Sequence, residues 1–219
     1  TIQMWPVLQW MDGGDIVGPD NCAAIGSDAS IAGLKQWTDL VVNKKISPVG
    51  LTGAEADSLF AAGKAAMEIN GPWAAASYTK AGVDFGVASI PVGTAGPVTL
   101  ASTVPLMIGN GAKHPAEAAA FLSWWTGKDA QRQFALASGF PPVRTDMTAD
   151  PELAANAVVQ SFASALPSAR LYLPGVPNAT KVDSDVYVPL IGEITRGKDV
   201  ASSATAAAAA INALTGCKG

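Results

Sequence analysis

Apolar positions recur in this chain at helical spacing over several stretches. The clearest is Ile31, Leu34, Trp37, Leu40 and Val41, one buried face of a helix. Ser27 stands ahead of it as an N-cap, and the predicted helix runs to about Asn43. Lys44 and Lys45 follow, where positive charge complements the end of the helix dipole. Thr52-Gly53-Ala54-Glu55 is a capping box for a short helix with Ala56, Leu59 and Phe60 inward and Gly63 as its stop. Pro115 opens a third helix, whose face carries Ala118, Phe121, Leu122 and Trp125 up to Gly127. Asp129–Ser138 is a fourth, ended by Gly139, and Pro141-Pro142 makes a stiff exit. Asp150-Pro151-Glu152 combines a cap, an N1 proline and a first-turn acid, predicting a helix to about Leu166. Val186, Tyr187, Leu190 and Ile194 form a stripe within Asp183–Arg196, where Pro189 implies a kink or a later start. Asp199 caps a last, alanine-rich helix ending at Gly216.

Between the helices lie short apolar runs without helical period. Trp5–Met11 is apolar and ends in the turn Asp12-Gly13-Gly14-Asp15. Ile16-Val17 reads as a short strand. So do Ala65–Asn70 (AAMEIN) and Phe85–Ile90 (FGVASI). Leu100–Ile108 reads as extended, and Arg170–Thr180 as loop or extended. Strands and helices alternate, which predicts an α/β class. Between AAMEIN and FGVASI stands Gly71-Pro72-Trp73, then a short helix closed by Gly82. Pro72 suits a first helical turn, and Gly71 lets another group approach the backbone. Trp73 has two readings. It is a core residue fixing this helix, or a flat surface on which a sugar's C–H face stacks beside free helix N–H donors.

Composition narrows the chemistry. The chain has 219 residues, 49% hydrophobic, with a net charge of −4; that supports a sizeable core and excludes disorder. Basic residues are few and scattered, which excludes nucleic-acid binding. No run of about 18 strongly apolar residues occurs, so no membrane-spanning helix is predicted. P-loop, dinucleotide, zinc-protease and hydrolase-elbow motifs are absent. His114 precedes a helix with no acid–base partner, and Asp12 and Asp15 are too few for a calcium site. No cofactor or metal is expected. Glu68 and Glu193 are the only carboxylates considered for glycoside hydrolysis, which needs a pair about 5–9.5 Å apart. Cys22 and Cys217 form either a disulfide or two unrelated thiols.

The run F-x-x-G-K-A-A-M-x-I-N-G-P-W from Phe60 to Trp73, followed by G-x-D-F-G-V-A-x-I-P-x-G from Gly82, resembles the extracellular solute-binding proteins of sugar ABC importers. This is the family that includes maltose-binding protein. Trp5–Val17 (WPVLQWMDGGDIV) and Lys113–Gln131 (KHPAEAAAFLSWWTGKDAQ) resemble two further segments of it. The resemblance implies a type II periplasmic-binding-protein fold: the C-terminal lobe plus a partial excursion into the N-terminal lobe. Residues 1–92 and 146–219 would belong to the former and 93–145 to the latter.

By the same resemblance the chain captures a mono- or oligosaccharide between two lobes and delivers it to ABC permease subunits. Its parent would be extracellular or periplasmic and held at the membrane as a lipoprotein. An enzyme is not expected; a carbohydrate-active enzyme and a protein-interaction lobe are the alternatives. Trp73 fills the family's sugar-stacking position. Trp5 and Trp10 lie where members place aromatics, Asp183 and Tyr187 where members add a further cleft contact, and Arg170 suits a hydroxyl or an acidic substituent. Where members often carry Gly-Gly-Trp, this chain has Ser102-Thr103-Val104, so no contact is carried over there. In the resembled fold the helices beside Cys22 and Cys217 share a lobe, implying a disulfide. The chain also opens inside the second lobe, which implies weak or absent sugar binding by these residues alone. Phe121, Leu122, Trp124 and Trp125 would lack part of the sheet they cover, so such a piece is expected to expose apolar surface, rearrange or pair with another copy.

Overall fold

Ser27 caps as its position predicts. Its Oγ accepts the Ser30 N–H at 3.3 Å, and α2 runs Asp28–Val42. The computed structural model describes residues 4–217. Two units interleave along the chain: one of Thr1–Ala56, Ile90–Ala101 and Ser168–Gly219, the other of Asp57–Ser89 and Ser102–Pro167.

The first unit holds the larger core. α1 (Trp5–Trp10) packs across α2. The approach is close enough that a Cβ on Gly14 would fall 2.8 Å from the Ser30 Cα, so Gly14 is needed for the contact. β1 (Thr99–Ala101) and β2 (Ala169–Leu171) pair in parallel, Leu100 opposite Arg170. The chain then runs into α9 (Ala179–Lys181), a π-helical turn (Val182–Tyr187) and α10 (Val188–Ile194). Here the expected kink at Pro189 takes a specific form. The Val188 N–H bonds back to Asp183 O, five residues away. The widened turn accommodates the region where the ring of Pro189 would collide with a regular helix. α11 (Val200–Thr215) is capped by Asp199, which accepts the Ser202 N–H at 2.8 Å, and closes on Gly216 with φ 75°. Ile16, Ile25, Leu34, Val182, Tyr187, Ile191, Ile194, Ala204 and Ile211 form the centre of this core. Burial of each Leu or Ile among them stabilises by about 1.5–3 kcal/mol.

Cys22 and Cys217 are bonded, with Cα atoms 5.1 Å apart. The link joins the loop before α2 to the end of α11. Two noncovalent contacts accompany it: Asn212 Oδ1 accepts the Ala23 N–H at 2.7 Å, and Asn178 Nδ2 donates to Leu214 O at 2.8 Å.

α3 (Gly53–Ala61) starts with the expected reciprocal box: Thr52 N–H donates to Glu55 Oε2 at 2.8 Å, and Glu55 N–H to Thr52 Oγ1 at 3.3 Å. The second unit continues with a 3-10 turn at Pro72–Ala74 and α4 (Ala75–Lys80), then α5 (Pro115–Trp125), α6 (Lys128–Ser138), α7 (Pro151–Ala155) and α8 (Ala157–Ala165). The single helix expected after Asp150 is two. Asn156 leaves the helical region with ψ 107° and caps α8, accepting the Val159 N–H at 3.0 Å. Its short polar side chain competes with the helix for that donor. Ala135, Met147, Leu153 and Val159 form a small core. Phe121 and Trp124 on α5 stay more than half exposed, beside a groove lined by Leu106, Met107 and Leu122.

The strands expected at 65–70 and 85–90 are not formed. Both stretches are irregular and unpaired, and Met67 is exposed. Ile16-Val17 makes only an isolated bridge, Val17 to Ala23. A strand needs a ladder partner, and among the described residues the two-stranded β1–β2 pair is the sheet that forms.

Asp150 provides an acid test of this unit. It accepts from Arg132 Nε at 2.8 Å and caps α7 through the Glu152 and Leu153 N–H groups. The Arg132 hydrogen bond, then the backbone donors, hold its carboxyl below the usual range. Its contribution to stability is therefore complete above the unfolded-state value near pH ~4 and is lost as pH falls through the lower folded value. Urea melts at pH 7 and pH 3 should show a smaller acid loss in Asp150→Asn than in the wild type.

Candidate functional site

Five of the six candidate residues fall in the first unit. Two of them, Trp10 and Arg170, meet at Asp15, an aspartate of the Gly-Gly turn. Asp15 leaves the Gly13-Gly14 turn with its N–H donated to Ser30 Oγ at 2.8 Å. Its Oδ1 accepts from Trp10 Nε1 and from the Ile16 N–H, each at 2.8 Å. Its Oδ2 accepts from Arg170 Nη2 at 2.6 Å. The Arg170 guanidinium lies 4.6 Å over the Trp10 ring, within cation–π range. Trp10 is thus 4% exposed while Arg170 stays exposed. The indole supports the guanidinium, and the guanidinium's outer N–H groups face water.

Six residues before Asp15, on α1, Gln9 is buried and accepts the Tyr187 hydroxyl at 2.9 Å. Tyr187 is fully buried, and burial holds its phenol well above its ordinary pKa. The Tyr172 ring packs against it at 6.3 Å and donates its hydroxyl to Asp183 at 2.6 Å. Burial, then that bond, raises Tyr172 as well, so both phenols stay neutral donors. Trp5 is half-buried against the same core. The first unit therefore carries an exposed guanidinium at 170 over Trp10 and a half-buried carboxylate at 183 bonded to Tyr172.

Trp73 lies in the second unit. It is 50% exposed, so it is not the core residue of the plainer reading. Its ring folds back on Gly71: a Cβ there would sit 2.0 Å from Trp73 Cζ3. The group that approaches the Gly71 backbone is thus the indole itself. Phe140 meets it at 6.3 Å, tilted by 39°. Gly139 turns the chain toward Phe140 with φ 79°, where a Cβ would meet Pro72 O at 3.3 Å.

Glu68 is half-buried and accepts a very short hydrogen bond from Tyr78. Burial raises its carboxyl above the ordinary value, and nearby Asp57 adds to this. Glu193 pairs with Lys198 at 2.8 Å in the first unit. The two glutamates considered for hydrolysis thus belong to different units. Among the described residues no group of three or more potential metal ligands occurs, and no helix is long and apolar enough to cross a membrane.

Sequence reading missed Asp15, Gln9 and Tyr172. The available signal was weak: Trp10 and Asp15 are five apart, a spacing that no regular element brings together. Only the Gly-Gly turn makes it short.

Comparison with known proteins adds to this geometry. A family model described as bacterial extracellular solute-binding protein matches residues 1–160. A maltotriose-binding protein of Pyrococcus abyssi is 33% identical over 125 residues, 52% of this chain and 26% of that protein. Among solved structures, an ABC transporter solute-binding protein of Thermotoga lettingae bound with α-D-tagatose superposes with TM-score 0.86 at 21% identity. The GacH receptor of Streptomyces glaucescens, solved unliganded and with acarbose, gives 0.82 at 24%. Each covers 98% of this chain, and the chain covers 56% of each. At such identities the likeness establishes the fold, which is the type II periplasmic sugar-binding fold.

Proposed function

The chain belongs to the bacterial extracellular solute-binding proteins, and from that premise we propose that it is a sugar-capturing part of a carbohydrate ABC importer. The observation that carries this reading is Trp73. It is a large aromatic, half exposed, fixed against a glycine and a phenylalanine in the motif position of a sugar platform. A rigid exposed indole costs little entropy to use and offers a ring a broad apolar face. In the first unit, Arg170 and Asp183 are the candidate donor and acceptor for hydroxyls, with Trp10 beneath Arg170 and Tyr172 bonded to Asp183. The relatives named above bind or were solved with maltotriose, tagatose or acarbose, which supports a mono- or oligosaccharide here. Permease subunits are the proposed partners, and the proposed location is extracellular or periplasmic, with anchorage at the membrane as a lipoprotein. No catalytic role is proposed.

Ligand-observed NMR of maltotriose with the 219-residue chain tests this. Saturable transfer to the sugar is expected. Trp73→Ala should weaken it by about 1–3 kcal/mol, the scale of a large aromatic contact, with helical circular dichroism unchanged. No transfer from a panel of maltose, maltotriose, tagatose and acarbose would show that these 219 residues do not capture a sugar on their own.

A further inference from the structure

The Asn-Gly-Pro-Trp run contains a residue that the binding role does not itself account for. Asn70 makes three side-chain hydrogen bonds in different directions. Its Nδ2 donates to Asp57 Oδ1 at 2.8 Å and to the Tyr78 hydroxyl at 3.0 Å. Its Oδ1 accepts the Gly71 N–H at 2.9 Å. Both amide hydrogens and one lone pair are engaged. The partners are themselves fixed. Tyr78 is buried between Phe60 at 4.8 Å and Phe85 at 5.8 Å, and its hydroxyl donates to Glu68. Asn70 therefore ties α3 and α4 to the backbone of Gly71. On that glycine lies the Trp73 ring, with no room for even a methyl group between them.

We propose that Asn70 is the positioning residue for Trp73: its side-chain amide locks the Gly71-Pro72 turn, so that the indole is held in one half-exposed orientation before ligand arrives. This rests on the reading of Trp73 as the sugar's stacking surface. A ring already held in place loses little further freedom on binding. The chemistry needs an amide specifically. Aspartate, isosteric but without donors, would place a third carboxylate beside Asp57 and Glu68. Serine is too short to reach the backbone N–H and both acceptors at once.

The test uses the 219-residue chain labelled with 5-fluorotryptophan. Its six tryptophans report separately by fluorine NMR, and Trp73→Phe assigns the resonance of Trp73. In Asn70→Asp and in Asn70→Ser, the Trp73 resonance should shift or broaden while the other five keep their positions. Transfer to maltotriose should fall roughly tenfold in apparent affinity in the same variants. An unchanged Trp73 resonance in both variants overturns the proposal. So does an equal disturbance of all six resonances in both, since Asn70 would then be a general structural group. If the Trp73 resonance moves alone but the wild type binds no sugar, the positioning role is supported and sugar capture by these 219 residues alone is ruled out.

Discussion

Removing the Cys22–Cys217 link, by reduction or by Cys22→Ser with Cys217→Ser, is expected to lower the unfolding free energy by up to about 5 kcal/mol. The bond closes a loop over a sequence separation of 195. In the chain-entropy account, a loop of that length restricts the unfolded ensemble by about that much. The folded unit should survive the change. Asn212 still holds the Ala23 N–H, Asn178 still holds Leu214 O, and Gly26 still packs against Ala208 in α11. Loss of the cross-link therefore acts mainly on the unfolded state. The measurement is guanidinium unfolding with and without a reductant, together with far-ultraviolet circular dichroism of the reduced protein. A lower midpoint with an unchanged native spectrum is the expected pair. An unchanged midpoint would mean that the unfolded chain gains nothing from release of the link.

The helices were legible in the sequence because what starts and stops them is local. Ser27, Thr52, Asp150 and Asp199 all cap as their positions predict. The breaks were less so. Asn156 ends one helix and begins another within an apolar run, which periodicity alone reads through. Pro189 announced a disturbance, but not that a π-helical turn would absorb it. Strands failed for a physical reason: AAMEIN and FGVASI carry strand composition, but pairing is non-local and neither finds a partner. The pair that does form joins Thr99–Ala101 to Ala169–Leu171, segments far apart in the chain, the second at the start of a stretch that reads as loop or extended.

The candidate site was legible in the same uneven way. Motif likeness singled out Trp73 and placed attention on Trp10, Arg170, Asp183 and Tyr187. It did not reveal that Trp10 and Tyr187 are buried, nor that Trp10 lies beneath the exposed Arg170. Nor did it reveal Asp15, because an aspartate after Gly-Gly is explained sufficiently by the turn.

Asp15 should prove the most costly position of this cluster to truncate, and the cost should come from its backbone and indole partners rather than from its ion pair. Its Oδ1 serves two donors that are otherwise buried, Trp10 Nε1 and the Ile16 N–H. Each donor left without an acceptor costs about 1–3 kcal/mol, so Asp15→Ala should destabilise by about 2–5 kcal/mol. The Arg170 pair is different. Both side chains keep contact with water, and such pairs contribute roughly 0–1 kcal/mol. Stacking on Trp10 adds about 0.5–1 kcal/mol. Arg170→Ala should therefore cost less than about 2 kcal/mol. Asp15→Asn separates the two roles, because the amide oxygen can still accept from Trp10 and Ile16 while the charge opposite Arg170 is gone. It should resemble Arg170→Ala in stability, and a double-mutant cycle between positions 15 and 170 should give a coupling below about 1 kcal/mol. Equal destabilisation by Asp15→Asn and Asp15→Ala in urea melts would show that the charge, not the acceptor, holds this cluster together. The expected ordering has a consequence for binding. Arg170 is then held loosely enough, by a weak ion pair over a firm indole, to turn its remaining N–H groups toward a ligand hydroxyl without disturbing the fold beneath it.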